Sequence, residues 1–173
     1  MILWINGAFG SGKSSVAESI KEKVHTSFIY DPEQIGYFLW DNFPDELKRK
    51  NNFQHMTIWR EFNYKILSYI YENYSGVIIV PMTIYNKKYY DEIIGNLLND
   101  GVLVKHYILA ASKKTIIERL VQRGSPENGW EAQHIDVCIN AFNTDIADKK
   151  VLTDKKSIDE IAIEIISLSD VSI

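Results

Sequence analysis

The sequence has few of the features that mark secreted, membrane or nucleic-acid-binding proteins. Its 173 residues include one cysteine, Cys138, which excludes an internal disulfide and favours a reducing compartment. The longest apolar run, residues 77–82, is far shorter than the roughly 20 residues of a membrane-spanning helix. The formal net charge is -4 and the basic residues are scattered, so neither a nucleic acid nor an anionic membrane is an expected partner.

The first residues of the sequence are not expected to form a secretory signal peptide. Residues 1–6 have no cationic start and lead directly into a glycine-containing loop, so they do not resemble a secretory signal and a cytoplasmic location is expected. Hydrophobic residues make up 46% and charged residues 24%, close to the average of soluble globular proteins. We therefore expect one folded domain over residues 1–173 and no integral membrane segment.

Short apolar runs alternate with stretches of helical periodicity along most of the chain. Such alternation predicts an α/β fold, with a five-stranded parallel sheet and helices on both of its faces. A long aromatic-rich stretch, about residues 33–75, interrupts the alternation and is predicted to be a helical insertion. The predicted strands are residues 2–6, 28–30, 77–80, 103–109 and 151–152.

The clearest motif follows the first predicted strand. Residues 7–14 read Gly-Ala-Phe-Gly-Ser-Gly-Lys-Ser and match the P-loop pattern G-x-x-x-x-G-K-[ST]. Glycines allow positive φ and close approach of the backbone, so successive N–H groups can point at phosphate oxygens of ATP. We expect Lys13 to reach the β and γ phosphates and the Ser14 hydroxyl to bind Mg²⁺. The predicted nucleotide-binding residues are Gly7, Gly10, Ser11, Gly12, Lys13, Ser14 and Ser15.

A carboxylate that could serve catalysis follows the second predicted strand. The third predicted strand ends in Pro-Met-Thr, without the acid that motor ATPases and GTPases place there. Asp31 is the better candidate, because ligands bind beyond the carboxyl ends of parallel strands. It is predicted as a general base toward an acceptor hydroxyl, a water-mediated Mg²⁺ ligand, or both. The alternative is a cap on the turn before Pro32, and Glu33 is a second candidate for acceptor binding.

Two arginines on the helix after the fourth strand are further candidates. Arg119 and Arg123 lie four residues apart and precede a loop bounded by Gly124 and Gly129. They could neutralise charge on a transferring phosphoryl group or stack on the base, with the loop as a mobile flap. The predicted lid covers about residues 119–130. The alternative is a solvated helix end whose basic residues favour the helix dipole.

The insertion supplies candidates for acceptor binding. Arg60 could hold an anionic or carbonyl-rich acceptor, or instead form an intrahelical pair with a neighbouring acid. Tyr37 and Trp59 could line a pocket for a large, partly apolar acceptor, although aromatic residues at helical spacing are more often core. The four histidines have no metal-ligand spacing and are expected to be structural.

Taken in order, these motifs resemble the tunicamycin-resistance protein family. The resemblance covers nearly the whole chain and rests on residues 5–14, Asp31-Pro32-Glu33, Trp59-Arg60-Glu61-Phe62, Pro81-Met82-Thr83 and residues 118–124. It implies a fold like that of small-molecule and nucleoside monophosphate kinases, with ATP at residues 7–15 and a lid at residues 119–129. It also implies an adenine slot near Thr153, Asp154 and Lys155, and resistance to a nucleoside antibiotic that imitates a UDP-sugar.

Three functions are compatible with these motifs. The first is an ATP-dependent phosphotransferase acting on a hydroxyl of a nucleoside-like small molecule, with tunicamycin-type antibiotics as candidate acceptors. The second is an ATP-binding protein that sequesters the antibiotic without turnover. The third is a nucleoside monophosphate kinase, which needs arginine clamps on the acceptor phosphate. The insertion offers only Arg49 and Arg60 for that purpose, which favours a less charged acceptor.

Overall fold

A central parallel sheet organises the chain. The computed structural model describes residues 1–48 and 52–171, so Arg49 lies outside the described residues. The strand order is β2-β3-β1-β4-β5, with all neighbours parallel, which confirms the predicted fold class. The strands are β1 (Ile2–Gly7), β2 (Ser27–Ile29), β3 (Val77–Pro81), β4 (Val104–Ala110) and β5 (Lys149–Leu152).

Helices cover both faces of the sheet because the strand residues alternate between two cores. On β1, Ile2 and Trp4 pack into the core beneath α3, whereas Leu3 and Ile5 pack against α1 and α9. The helices are α1 (Lys13–Lys23), α2 (Glu33–Asn42), α3 (Thr57–Asn73), α4 (Lys87–Tyr90), α5 (Asn96–Asn99), α6 (Lys113–Gln122), α7 (Trp130–Gln133), α8 (Ile135–Asn143) and α9 (Ile158–Leu168). A π-helical turn, Asp91–Gly95, joins α4 to α5.

The insertion after β2 is helical, as predicted. It contains α2 and α3, with 3-10 turns at Asp45–Leu47 and Phe53–His55 among the described residues between them. Gly36 of α2 lets the two parts approach, since a Cβ there would lie 2.5 Å from the ring of Phe53. The two parts of the insertion therefore pack closely together, and their apolar residues share one core with β1 and β3.

The last helix begins with a capping box. The Ser157 hydroxyl accepts the Glu160 N–H, and the Glu160 carboxylate accepts the Ser157 N–H. This start places residues 156–158 beside the P-loop, where they form one wall of a cavity. None of the helices in the described part of the chain is long and apolar enough to cross a membrane.

Candidate active site

The P-loop joins β1 to α1 and has the backbone geometry expected of a phosphate cradle. Gly7, Gly10 and Gly12 adopt positive φ values of 146°, 82° and 98°, as predicted. A Cβ on Gly10 would lie 2.8 Å from Cγ of Leu120, so the loop also packs closely against α6. The N–H groups of the loop and of the first turn of α1 are thus held at one end of the sheet, where they can receive phosphate oxygens.

Lys13 lies within this loop and is held by its carbonyl groups. The Nζ atom donates to the backbone oxygens of Gly7, at 3.2 Å, and Ala8, at 3.0 Å. The side chain is half-buried, and burial lowers the pKa of Lys13 to about 8. Phosphate oxygens approaching the loop would give this ammonium charged partners in place of neutral carbonyls.

A cleft of about 480 Å³ opens from the P-loop toward the insertion. It brings together residues that the sequence analysis selected separately: Lys13 and Ser14 from the P-loop, Asp31 and Glu33 after β2, and Arg123 of the predicted lid. Its other lining residues are Phe9, Gly10, Ala17, Glu18, Ile29, Pro81, Thr83 and Glu131. The phosphate cradle and two carboxylates therefore share one solvent-accessible space.

Asp31 both caps a helix and faces this cleft. One carboxylate oxygen accepts the backbone N–H of Glu33 at 2.9 Å, and the other accepts from Nε2 of Gln34 at 3.0 Å. The capping role considered from sequence is therefore present, but it leaves lone pairs of the carboxylate available in the cleft. Burial, followed by the charge of Asp31, raises the pKa of Glu33, whose carboxylate also lies 3.4 Å from the hydroxyl of Tyr37.

The two predicted lid arginines point in different directions. Arg119 donates to the backbone oxygen of Ser11 at 3.3 Å, and to Oγ1 and the backbone oxygen of Thr153 at 3.0 and 2.8 Å. Arg123 instead pairs with Glu131, which also accepts the Ser125 hydroxyl at 2.6 Å. Arg119 therefore joins the P-loop to the residue after β5. Arg123 forms its ion pair within the lid region, with Glu131.

A second cavity, of about 550 Å³, lies on the other side of the P-loop. It adjoins the region predicted to hold adenine, although the predicted residues do not form its wall. Thr153 is fully buried and bound to Arg119, while Asp154 accepts the N–H of Ser112, the residue that caps α6. The cavity is lined by Gly10, Gly12, Ser15, Arg119, Gln122, Arg123, Lys156, Ser157 and Ile158.

Three predicted acceptor residues, Arg60, Trp59 and Tyr37, do not line the cleft. Arg60 is 3% exposed and forms an ion pair with Glu92. Its guanidinium group also donates to the Gln54 carbonyl oxygen and lies 4.3 Å from the centre of the Tyr89 ring. Trp59 is fully buried, and its Nε1 donates to the Pro32 carbonyl at 3.0 Å. These contacts favour structural roles for both residues, with Trp59 fixing the position of the segment that carries Asp31. Tyr37 is 45% exposed and stands beside the cleft through its contact with Glu33.

Sequence reasoning missed several residues of the cleft. Thr83, 2% exposed, donates from Oγ1 to the Gly7 carbonyl oxygen at 2.8 Å and thereby ties the end of β3 to the P-loop. Its position just after a parallel strand is a signal in the sequence, because ligands bind at the carboxyl ends of such strands. Phe9 packs edge-on against Trp130 of α7 at 4.9 Å, and Glu131 follows directly. No local pattern marks these lid residues.

The donor set suits a magnesium ion that is held mainly by water and phosphate. Among the described residues there is no group of three or more His, Cys, Asp or Glu side chains that could hold a metal. Ser14 and Asp31 line the same cleft, and one or two protein oxygens are what Mg²⁺ takes beside a nucleotide. These two residues therefore fit the ion predicted from sequence.

The fold and the P-loop geometry define a P-loop, kinase-like α/β protein. The chain is similar to the tunicamycin resistance protein of Deinococcus radiodurans, with a TM-score of 0.84 and 24% identity over 99% of this chain and 96% of that one. This similarity confirms the predicted resemblance at the level of the fold. No family model and no curated protein matches the sequence.

Small-molecule kinases share the same fold at greater distance. Shikimate kinase from Bacteroides thetaiotaomicron has a TM-score of 0.65 and 13% identity, with 98% of each chain covered. The APS kinase of Mycobacterium tuberculosis, solved with AMPPNP and APS, has a TM-score of 0.63 and 15% identity, with 98% of this chain and 96% of that one covered. The similarity spans the whole sheet and the helices around it in each case.

Proposed function

We propose that this protein is an ATP-dependent phosphotransferase of the cytoplasm that phosphorylates a hydroxyl of a nucleoside-like small molecule. Tunicamycin-type antibiotics are proposed as acceptors, on the basis of the similarity to the D. radiodurans protein. The observation that carries the proposal is that a phosphate cradle, with Lys13 and Ser14, and a carboxylate, Asp31, line one cleft. Binding of phosphate alone would not require a carboxylate in the same cleft.

In the proposed reaction the P-loop binds the phosphates of ATP and Asp31 acts on the acceptor hydroxyl. The N–H groups of the P-loop and the Lys13 ammonium hold the phosphates and stabilise the charge that develops on them. Asp31 orients the acceptor hydroxyl and accepts its proton as the oxygen bonds to the γ-phosphorus and the bond to ADP breaks. Ser14, with Asp31 through water, would hold Mg²⁺, which supplies further neutralisation of phosphate charge.

A sequestering protein that binds nucleotide and antibiotic without turnover is the second candidate. One observation favours it: both lid arginines are engaged by protein groups, Arg119 by Thr153 and Arg123 by Glu131. Phosphoryl transfer would require at least one of these guanidinium groups to exchange its partner for phosphate. A nucleoside monophosphate kinase is less well supported, because the described residues lining the cleft include one arginine, Arg123, and it is paired.

Replacement of Asp31 by asparagine separates the first two functions. Asparagine keeps a side-chain oxygen for the Glu33 N–H and is itself a good helix cap, so the fold and nucleotide affinity should be retained. Loss of the base should lower the rate of phosphoryl transfer by about 10²- to 10⁴-fold. Asp41→Asn, the same change at an exposed position of α2, is the matched control and should leave the rate unchanged. Equal transfer rates in the two variants would refute the role of Asp31, and antibiotic binding without transfer in wild type would favour sequestration.

A further inference from the structure

A buried polar network connects the P-loop to the surface beside β5. Asn6 is the residue immediately before the P-loop and is fully buried, and His106 of the neighbouring strand β4 is 7% exposed. The two side chains meet, with 3.1 Å between Asn6 Nδ2 and His106 Nε2. The other ring nitrogen, Nδ1, lies 3.0 Å from a carboxylate oxygen of Asp148, a residue partly exposed just before β5.

The backbone partners of Asn6 identify the donor and the acceptor of each bond in this network. The Asn6 side-chain oxygen accepts two backbone N–H groups, those of Gly7 at 2.8 Å and Ile84 at 3.0 Å. Both partners are donors, so this atom must be the oxygen and the other must be the amide nitrogen. That nitrogen donates to the Ile84 carbonyl at 2.9 Å and to His106 Nε2.

It follows that His106 is the neutral tautomer with its proton on Nδ1. Because Asn6 donates to Nε2, this nitrogen must carry a lone pair, and the Nδ1 proton is then donated to Asp148. The bond from His106 in turn holds the pKa of Asp148 below its usual range. The other tautomer would direct an N–H at the amide nitrogen of Asn6, and that bond would be lost.

Asn6 matters for the cleft because it joins the P-loop to the segment after β3, and both segments contribute lining residues. Through Gly7 and Ile84 it ties the start of the P-loop to the segment after β3. The Gly7 carbonyl oxygen accepts from both Lys13 Nζ and the Thr83 hydroxyl. A rotation of the Asn6 amide would therefore shift the residue whose carbonyl holds the phosphate-binding lysine.

We propose that Asp148, His106 and Asn6 form a positioning relay, in which Asp148 selects the His106 tautomer that fixes Asn6 and thereby aligns the P-loop for nucleotide. The proposal rests on the nucleotide binding of the proposed function. None of the three residues lines the cleft, so they act through Gly7 rather than by contact with a ligand. Lys13, Gly7 and Thr83 are the groups through which the relay would reach the site.

Removal of the carboxylate tests the relay, with mant-ATP as the probe. In Asp148→Ala the Nε2–H tautomer of His106 becomes competitive, and the loss of about one hydrogen bond should weaken mant-ATP binding about fivefold. Asp145→Ala removes an exposed acid from the same segment and should bind as wild type does. In a His106→Gln background, the carboxamide oxygen can accept from Asn6 without tautomers, so Asp148→Ala should change the affinity less than twofold.

A tautomer measurement distinguishes positioning from a general structural role. Nitrogen-15 NMR of the histidine rings, assigned by the signal missing in His106→Gln, should show Nδ1–H in wild type and a shift toward Nε2–H in Asp148→Ala. The Gly7 amide signal should move in Asp148→Ala and stay in place in Asp145→Ala.

Three results would overturn the relay: an Nε2–H tautomer in wild type, an unmoved Gly7 signal, or unchanged affinity in folded Asp148→Ala. If wild type itself does not bind mant-ATP, the proposed function is wrong, and the tautomer and the Gly7 signal decide the relay by themselves.

Discussion

The low pKa of Lys13 predicts that nucleotide affinity falls as the pH rises through the range just above neutrality. The ordinary lysine pKa of 10.5 is lowered to about 8 by burial in the P-loop, where two carbonyl oxygens are the hydrogen-bond partners of the ammonium. Bound phosphates favour the charged form, so ATP should bind the protonated lysine. The affinity for ATP should therefore be highest below pH 8 and should decline above it.

The size of this effect follows from the protonated fraction of the free protein. With a pKa of about 8, about nine-tenths of the molecules carry a charged Lys13 at pH 7 and about one-tenth at pH 9. If the nucleotide complex keeps the lysine charged over this range, the apparent Kd of ATP should rise about tenfold between the two values. Titration of mant-ATP at half-unit intervals of pH measures this directly.

Variants at the same position identify the group responsible. Lys13→Met should bind weakly and with a flat profile, and any binding by Lys13→Arg should also be flat, since arginine stays charged. Burial lowers the pKa of the Met1 amino terminus, but this group precedes β1 at the opposite end from the P-loop and is retained in both variants. Cys138 does not interfere, because burial raises its pKa to about 12. A flat wild-type profile, or an equal slope in Lys13→Met, would refute the reasoning.

Two further substitutions test the cradle and the buried arginine. Gly10→Ala forces a side chain into positive φ against Leu120 and should cost about 1–2 kcal/mol of unfolding free energy or more, with loss of mant-ATP binding. Gly101→Ala has a similar φ of 78° with no atom within 4 Å, so denaturant unfolding should show a comparable strain cost while nucleotide affinity is kept. Arg60→Met removes the buried partner of Glu92, which keeps Lys88 at 3.7 Å, and should lower the unfolding free energy by about 2 kcal/mol without changing nucleotide affinity. If Arg60→Met lost acceptor binding while its stability was unchanged, Arg60 would be an acceptor-binding residue and the structural role would be refuted.

The features predicted from sequence are those that a few consecutive residues determine. The glycine spacing of the P-loop fixes where positive φ is needed, and the structure has it at Gly7, Gly10 and Gly12. The three central strands, β1, β3 and β4, are largely buried apolar runs, and all five strands were predicted to within two residues at either end. The placement of Asp31 in the cleft followed from a topological rule, because the carboxyl ends of parallel strands meet at one edge.

The features that were missed depend on partners distant in the chain. Arg119 was predicted as part of a lid, but its direction is set by Thr153, which lies 34 residues further along. Arg60 was predicted either to hold an acceptor or to pair with an acid in its own helix, and its ion pair is with Glu92, 32 residues away on the π-helical turn. His106 was expected to be structural, and its link to Asn6 arises only because β4 pairs with β1. Such contacts follow from strand order and helix packing, which local patterns do not encode.

Transfer of the γ-phosphoryl group of ATP to a small molecule is the central claim, and mass spectrometry of the acceptor tests it most directly. Wild type would be incubated with Mg²⁺-ATP and a panel of tunicamycin, UDP-sugars, nucleosides and nucleoside monophosphates, with Lys13→Ala as the blank. The account predicts a Lys13-dependent gain of one phosphoryl group on a nucleoside-like member of the panel. No gain on any member, while wild type binds both mant-ATP and tunicamycin, would contradict catalysis and leave sequestration as the function.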